Sequence, residues 1–447
     1  MKLINGSVFL PDGKFSNADV VCSEKILDVT ERAGCDIRTD IQQENGADTD
    51  CGSVLDVSGK YVIPGLVDIH SHGAVNADAS DGDAEGLRKM SRYYAQKGVT
   101  SWCPTTMTLS EEQLLTAMHA IRDFTSDGAN CVGVHLEGPF VSYEKRGAQN
   151  AAYLQKPNIE ELKKLNDASG GQVRMITIAP EEDENNAFIR EASQICTVSL
   201  GHSVADYEQA KVAFEAGATH VTHMFNGMNG LHHRKPGIIG AAFDAGATVE
   251  LICDGFHIDP SVIRMTAALF GDKLNLISDS MRCAGMPEGE YSLGGQPVWM
   301  KAGKATLADG TLAGSSIHLM DAVRNVVRFG VPLEQAIRAA TLTPAESIGL
   351  AQEIGCIRRG ARADLLILEG MYGEPDKLVK TREHKHMTMY EAAKIAKEVG
   401  APKLWLTHYS PSMTRPEEFM DDVRKIFPAA YAAKDGWTME LNFDEGK

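Results

Sequence analysis

Seven polar side chains between positions 70 and 279 stand at or just beyond the ends of short apolar runs: His70, His72, Glu137, His202, His223, His257 and Asp279. Imidazole and carboxylate are the ligand types of hydrolytic metal sites, and an H-x-H pair leaving a strand can direct both rings to one side. A single histidine at a strand end is more often a hydrogen-bonded core residue, and Asp279-Ser280 also fits a helix N-cap. What favours metal chemistry is the coincidence of so many such groups at equivalent positions. Glu137, His202 and His223 would hold a divalent ion and leave positions open on it, and water there becomes acidic enough to ionise near neutral pH. His70 and His72 can hold a second ion with Glu137 as the bridge. Asp279 would take the water proton and deliver it to the leaving group. His135 shares the inward parity of Glu137 and reads as a support, whereas His220, His232, His233 and His318 read as structural or peripheral.

Such groups must be carried to one place by the elements that bear them. From Leu66 onward short apolar runs alternate with helical segments, the pattern of parallel β/α units. The runs are LVDI (66–69), VTSW (99–102), VGVHL (132–136), VRMITI (173–178), TVSLG (197–201), THVT (219–222), VELIC (249–253) and LNLIS (274–278). Eight of them predict a closed (β/α)8 barrel over 61–284, with its chemistry at the carboxyl ends of the strands. Helices such as DAEGLRKMSRYYAQKG and VADYEQAKVAFEAGA end at glycine, as a C-terminal cap should. Residues 1–60 read as short strands, with a polar loop over 32–51. Residues 285–368 return to strand character and add a helix over HLMDAVRNVVRFG. The two segments together predict a small β-sandwich. Residues 369–447 form a further α/β piece, in which Thr388 and Glu391 make a capping box for MYEAAKIAKEVG and KLWLT (403–407) reads as a strand.

Composition narrows the partners. A chain of 447 residues with 43% hydrophobic residues can bury a large core, and its formal net charge of −17 comes without a Lys/Arg-rich run. Nucleic acid is an unlikely partner on that balance, while a small anionic substrate needs only one or two local basic groups. No stretch approaches ~18 uninterrupted apolar residues, and the first residues lack a signal-peptide core, so a cytoplasmic protein without membrane contact is expected. Nine cysteines without paired spacing predict reduced thiols, with Cys103, Cys253 and Cys283 as small buried hydrophobes.

The segments VIPGLVDIHSHG, GVTSWCPTTMTL, HLEGPF, GHSVADYEQA, THMFNGMNGLHHRKPGIIGAAF, CDGFHIDP, ISDSM and LAGSSIHLMDAVRN occur in that order. They resemble the N-acetylglucosamine-6-phosphate deacetylase family of the amidohydrolase superfamily, over residues 1 to about 368. The resemblance implies a urease-like barrel with a sandwich, a homodimer, and hydrolysis of the acetamide of an amino-sugar phosphate to acetate and free amine. In that family Glu137, His202 and His223 match the common metal ligands and Asp279 the acid/base. His257 matches a substrate histidine, and Asn226 and Gly227 match residues at the sugar. Arg234 matches a phosphate-binding arginine that reaches in from the neighbouring subunit, and Leu312, Ala313 and Gly314 match a loop over the substrate. The intact His70-Ser71-His72 resembles the members with two metal ions rather than one. Beside Ala148, Gln149 occupies a substrate-binding position that is histidine in some members; its amide can bond a sugar hydroxyl but cannot carry a proton. Nitrogen and oxygen ligands of this kind suit zinc and iron alike.

The tail, EGMYGEPDKLVKTREHKHMTMYEAAKIAKEVGAPKLWLTHYSPS, resembles instead the C-terminal end of ribonuclease Z, with His386 on a catalytic histidine motif and His408 on a metal ligand. The H-x-H-x-D-H run that supplies most of that family's ligands is missing, because Gly73, Ala74 and Val75 follow His72. A fused remnant without nuclease activity is the expectation. Rival readings of the main body are a deacetylase for N-acetylgalactosamine 6-phosphate, a cyclic amidase, and an inactive barrel serving as a binding scaffold. Cyclic-amide members carry a lysine on the fourth strand, and VRMITIAP offers none.

Overall fold

A computed structural model describes residues 1–32, 54–363, 389–398, 404–406, 416–428 and 430–432. The chain divides into two compact units, one of Met1–Pro64 with Cys356–Lys447 and one of Gly65–Gly355.

In the second unit the eight apolar runs become eight parallel strands: β1 (Leu66–Ser71), β2 (Val99–Thr106), β3 (Val134–Glu137), β4 (Val173–Ile178), β5 (Thr197–Leu200), β6 (His220–Val221), β7 (Thr248–Ile252) and β8 (Leu274–Ile277). Each is hydrogen-bonded to the next in sequence order from β1 to β8. At the carboxyl rim the ring closes through main-chain bonds, Asp279 N–H donating to the His70 carbonyl at 2.9 Å and His72 N–H to the Ser280 carbonyl at 2.8 Å. The seam of the barrel therefore runs through three of the residues singled out for chemistry. Short, fully buried strands of this kind need apolar side chains on both faces, which is why they appear as continuous runs and not as alternating ones.

Helices follow the strands: α1 (Ala84–Gln96), α2 (Glu111–Asp123), α3 (Ile159–Ala168), α4 (Ala187–Ala192), α5 (Tyr207–Ala216), α6 (Gly237–Ala245), α7 (Pro260–Phe270) and α8 (Leu319–Phe329). Their ends are set locally. Ser110 with Gln113 and Asp206 with Gln209 form capping boxes at the starts of α2 and α5, satisfying donors that the first helical turn leaves free. Gly217 stops α5 and Gly330 stops α8, both at positive φ.

Between β8 and α8 an antiparallel sheet is made by Gly289–Leu293, Gln296–Lys301 and Lys304–Thr306, turned at Gly294-Gly295. These strands, α8 and the helices Leu333–Ala339 and Leu342–Ser347 belong to the same compact unit as the barrel, which runs on to Gly355. The sequence grouped 285–368 with the N-terminal strands; strand character alone does not say which neighbour a strand will pair with.

In the first unit Lys2–Phe9 is central, antiparallel to Phe15–Cys22 and parallel to Val54–Asp56 and Tyr61–Val62. Ile26–Glu31 adds an edge strand. Lys25 forms an antiparallel bridge with Arg362, which brings the two chain segments of this unit together. In the tail the helix Met389–Glu398, the short helix Met420–Ile426 and a parallel pair, Leu404–Leu406 with Ala430–Ala432, are described. Thr388, His386, His408 and residues 33–51 of the expected 32–51 loop lie outside the described residues.

An apolar cluster of Val67, Ile69, Cys103, Met175, Ile252 and Ile277 from five strands packs with Ala345, Ile348 and Ile354. Ile252 is fully inside it, and truncation there removes three methyl or methylene groups from a close-packed site. Ile252→Ala is expected to cost about 2–5 kcal/mol. A denaturant midpoint equal to that of the wild type, followed by circular dichroism, would contradict this packing.

Candidate metal centre

Glu137 ends β3 with its carboxylate in the barrel mouth, almost wholly buried. Four imidazoles surround it. Its Oε1 lies 3.1 Å from His202 Nε2, 2.9 Å from His223 Nε2 and 3.5 Å from His70 Nε2, while Oε2 lies 3.2 Å from His72 Nε2. Asp279, just beyond β8, completes the group, with Oδ1 3.3 Å from His72 Nε2 and 3.6 Å from His70 Nε2. Residues far apart in sequence converge because each sits on the same rim of one barrel.

The main chain is bent to aim them. His202, His223 and Asp279 adopt φ of 48°, 25° and 47°, a region that side chains with a Cβ seldom enter. Gly227 makes room: a Cβ there would lie 2.9 Å from His202 Nδ1. The rings are also oriented from behind. His72 Nδ1 donates to the Thr105 carbonyl at 3.1 Å and His202 Nδ1 to the Lys145 carbonyl at 2.8 Å, which leaves Nε2 of each facing Glu137. Gln149 donates to Glu137 Oε2 at 2.5 Å and accepts from Thr108 N–H at 2.7 Å. Both ends of this amide are thus engaged, and it holds the carboxylate.

The donor set fits a metal ion. Ligand atoms of His70, His72 and Glu137, and of Glu137, His202 and His223, lie within 4.8 Å of one another. His202 Nε2 and His223 Nε2 are 3.1 Å apart, close to the ~3.3 Å between two nitrogens that share a tetrahedral zinc. His70 Nε2 is buried without a hydrogen bond and faces the same space. A third grouping, His70, His135 and Glu250, is accounted for by hydrogen bonds: His70 Nδ1 to Glu250 Oε2 at 2.9 Å, and His135 to the Ile69 carbonyl and Thr177 Oγ1.

Electrostatics tell the same story. Burial works to raise the Glu137 carboxyl, yet the charges of His202 and His70 hold it well below the usual range. Burial works to lower His72, but Asp279 and Glu137 raise it well above an ordinary imidazole. Asp279 is likewise lowered, burial being outweighed by the bond from His72 and the charge of His70. Protons on the rings stand where a cation would. His135, in contrast, is pushed down to about 3 by burial and by His70, so it stays neutral, giving Nδ1–H to Ile69 and accepting from Thr177.

The remaining residues distribute as follows. His257 lies beyond β7 with Nδ1 2.7 Å from Asp254 Oδ2. Asn226 turns back on the His223 carbonyl at 3.0 Å through its N–H. Ala148 is buried, and its carbonyl accepts from Gln296 at 2.6 Å. Ala313 is buried, Gly314 at positive φ approaches the Asp279 carbonyl, and Ser315 N–H donates to that carbonyl at 2.7 Å, so the segment Leu312 to Gly314 is tied to the end of β8. Arg234 is exposed, and its main-chain N–H donates to His232 Nδ1 at 3.3 Å. It is not brought to the cluster within the chain. Asp254 and Glu250 were not singled out from sequence; Asp254 could have been found three residues before His257, and Glu250 from its inward parity on β7.

Burial opposes the charge on His223, but Glu137 raises it from 6.5 to about 9. Its pair with Glu137 therefore stabilises the ion-free fold fully below about 6.5, the unfolded value, and that contribution is lost as pH rises through about 9. Ion-free protein should lose stability between pH 7 and 10, and uptake of a divalent ion near pH 7.5 should release protons. Calorimetric titration in buffers of different ionisation heat checks this, and a heat independent of buffer would contradict it.

Comparison with known proteins matches residues 61–399 to the Amidohydrolase family. N-acetylglucosamine-6-phosphate deacetylase of Vibrio furnissii is 38% identical over 328 residues, 72% of this chain and 82% of that protein. N-acetylgalactosamine-6-phosphate deacetylase of Escherichia coli O157:H7 is 36% identical over 71% of this chain and 86% of that one. Among solved structures, a mutant N-acetyl-D-glucosamine-6-phosphate deacetylase of Mycobacterium smegmatis in complex with N-acetyl-D-glucosamine-6-phosphate superposes with a TM-score of 0.72, at 30% identity over 82% of this chain and 94% of that chain. With a parallel barrel, ligands on its carboxyl rim and this extent of identity, the chain belongs to the amidohydrolase family.

Proposed function

We propose that the protein hydrolyses N-acetylglucosamine 6-phosphate to glucosamine 6-phosphate and acetate. The observation that carries this reading is the convergence of Glu137, His202, His223, His70, His72 and Asp279 on one small volume, in a chain 38% identical to a deacetylase of that substrate. Glu137, His202 and His223 would hold one divalent ion, zinc or iron, and His70 and His72 a second with Glu137 between them. When bound, such an ion supplies Lewis acidity toward water and toward the amide carbonyl.

The chain's own groups do the rest. Asp279, held ionised beside His72, accepts a proton from the attacking water and passes it to the amide nitrogen. The carbonyl carbon gains a C–O bond and loses its C–N bond; the amine leaves with the proton delivered by Asp279, and the acetic acid so formed gives up its remaining proton, to the amine or to water, leaving as acetate. Gln149 keeps Glu137 from rotating away, and the carbonyls behind His72 and His202 keep the Nε2 atoms aimed inward. His257, with Nδ1 held by Asp254, offers Nε2 to the acetamide. Asn226, Gly227, Ala148 and the Leu312 to Gly314 segment would shape the sugar subsite.

Arg234 would meet the phosphate from the neighbouring subunit of a homodimer, which agrees with its exposure on its own chain. A cytoplasmic location is part of the same proposal; no described helix is long and apolar enough to cross a membrane. A second reading is supported by the 36% identity to the galactosamine enzyme: the 4-epimer as preferred substrate. Comparing kcat/KM for the two sugar phosphates decides between them.

Acetate release from N-acetylglucosamine 6-phosphate by zinc-loaded protein should be readily measured, and Asp279→Asn should lower kcat by about 10²–10⁴-fold, the usual worth of a positioned acid/base. Equal rates for both proteins would remove Asp279 from the mechanism.

A further inference from the structure

The interior of a barrel is ordinarily filled by branched apolar side chains, yet β7 turns a carboxylate inward. Glu250 has no exposed surface. Its Oε2 receives two bonds, one from His70 Nδ1 at 2.9 Å and one from the main-chain N–H of His223 at 3.0 Å. Its Oε1 lies 3.1 Å from His220 Nε2, whose Nδ1 is 2.5 Å from Thr248 Oγ1. One oxygen thus joins the end of β1 to the end of β6, the two strands that bring a ligand from each of the two expected ion positions.

The four imidazoles are not supported alike. His72 and His202 give Nδ1–H to main-chain carbonyls, which carry no net charge. His70 alone among the four gives it to a carboxylate. His223 Nδ1 makes no hydrogen bond, so its ring is aimed by its main chain, held at φ 25° and bonded to Glu250. A neutral imidazole has one N–H, and with that hydrogen on Nδ1 of His70 the lone pair is on Nε2. That is the atom which is buried, makes no hydrogen bond and faces Glu137 and Asp279.

Two divalent cations set against Glu137 and Asp279 alone leave a twofold positive excess in a buried space; a third carboxylate halves it. A full buried charge at Glu250 is costly without such compensation.

We propose that Glu250 is the positioning residue for two-ion binding in this chain: it fixes His70 with its Nε2 lone pair toward the site and holds the His223 main chain that aims the second ring. This rests on the two-ion reading of the site. Glu250 touches neither substrate nor ion, and acts through His70 and His223. His220, whose role the sequence left structural, anchors the far side of the carboxylate.

The test reads zinc content and affinity rather than turnover. Wild type, Glu250→Gln and Glu250→Ala are loaded with zinc, dialysed and analysed for metal, with affinities measured by chelator competition and melting temperatures taken for ion-free and loaded forms. Two ions in the wild type and a 10–100-fold weaker second ion in Glu250→Gln are expected, the size usual for the loss of a group behind a ligand. Wild type and Glu250→Gln both holding two ions with unchanged affinities, even at a lower melting temperature, would overturn the proposal and leave the two-ion reading standing. A wild type that takes one ion at every zinc concentration would overturn the two-ion reading and the proposal with it. Should the variants not fold, the wild type answers alone: labelled with ¹⁵N-histidine and assigned against His70→Gln, the zinc-loaded protein is expected to show His70 protonated at Nδ1. A proton on Nε2 would refute the proposal.

Discussion

A carboxylate buried among imidazoles is the interaction from which the rest of this structure follows. Glu137 is cut off from water, and an isolated charge in that position would cost several kcal/mol. It is tolerated because His202, His223, His70 and His72 all present Nε2 to it within 3.5 Å. The arrangement is only balanced when something positive lies between them, a set of ring protons or a metal ion. Every other feature of the rim serves to keep that mutual approach in place. Left-handed main chain at His202, His223 and Asp279, the absent side chain at Gly227 and the doubly bonded amide of Gln149 are local departures from an ideal barrel. Each sacrifices some backbone or packing freedom for the direction of one side chain.

Below the rim the barrel departs from an apolar filling in a connected way. His135 bonds Thr177, Thr177 lies 2.7 Å from Thr222 Oγ1, and Ser199 lies 2.6 Å from the same hydroxyl. These side chains come from β3, β4 and β5 and from the end of β6, so a polar belt underlies the ligands. Fully paired polar groups in a low-dielectric interior hold their partners in fixed orientation, and partly paired ones are costly. The apolar cluster that includes Ile252, Met175 and Ile277 supplies cohesion that the belt does not.

Much of this was legible in the chain because the two periodicities that matter are local. Continuous apolar runs separated by capped helical segments locate the eight strands within a few residues, and the first polar residue after each run is a rim residue. His70, Glu137, His202, His223 and Asp279 are visible by that rule, and His72 as the second half of the H-x-H pair that His70 begins. Glu250 was not, because it precedes the end of its run: in VELIC a lone glutamate inside an apolar stretch gives no hint of which histidines will reach it from β1 and β6. The bond from Gln149 to Glu137 was not foreseen, since a loop residue carries no record of the carboxylate it will meet. Pairing between distant segments was the other silence. The strands over 289–306 resemble those near the N-terminus in composition, and only the three-dimensional arrangement shows them grouped with the barrel unit.

The seam gives the site a further physical character. β1 and β8 are joined at the rim by main-chain bonds from Asp279 to His70 and from His72 to Ser280, and Tyr94 Oη reaches both Gly73 O at 3.1 Å and Ser280 Oγ at 3.0 Å across the same joint. The side chains of His70, His72 and Asp279 thus approach one another only if the barrel is closed there. Anything that binds between them binds the closed ring and not the open one, and stabilises it by mass action in proportion to its concentration over its dissociation constant. With the H-x-H pair on β1 and the acid/base just beyond β8, assembly of the complete catalytic group and closure of the fold become a single event, whereas Glu137, His202 and His223, from β3, β5 and β6, come together on one side of the seam.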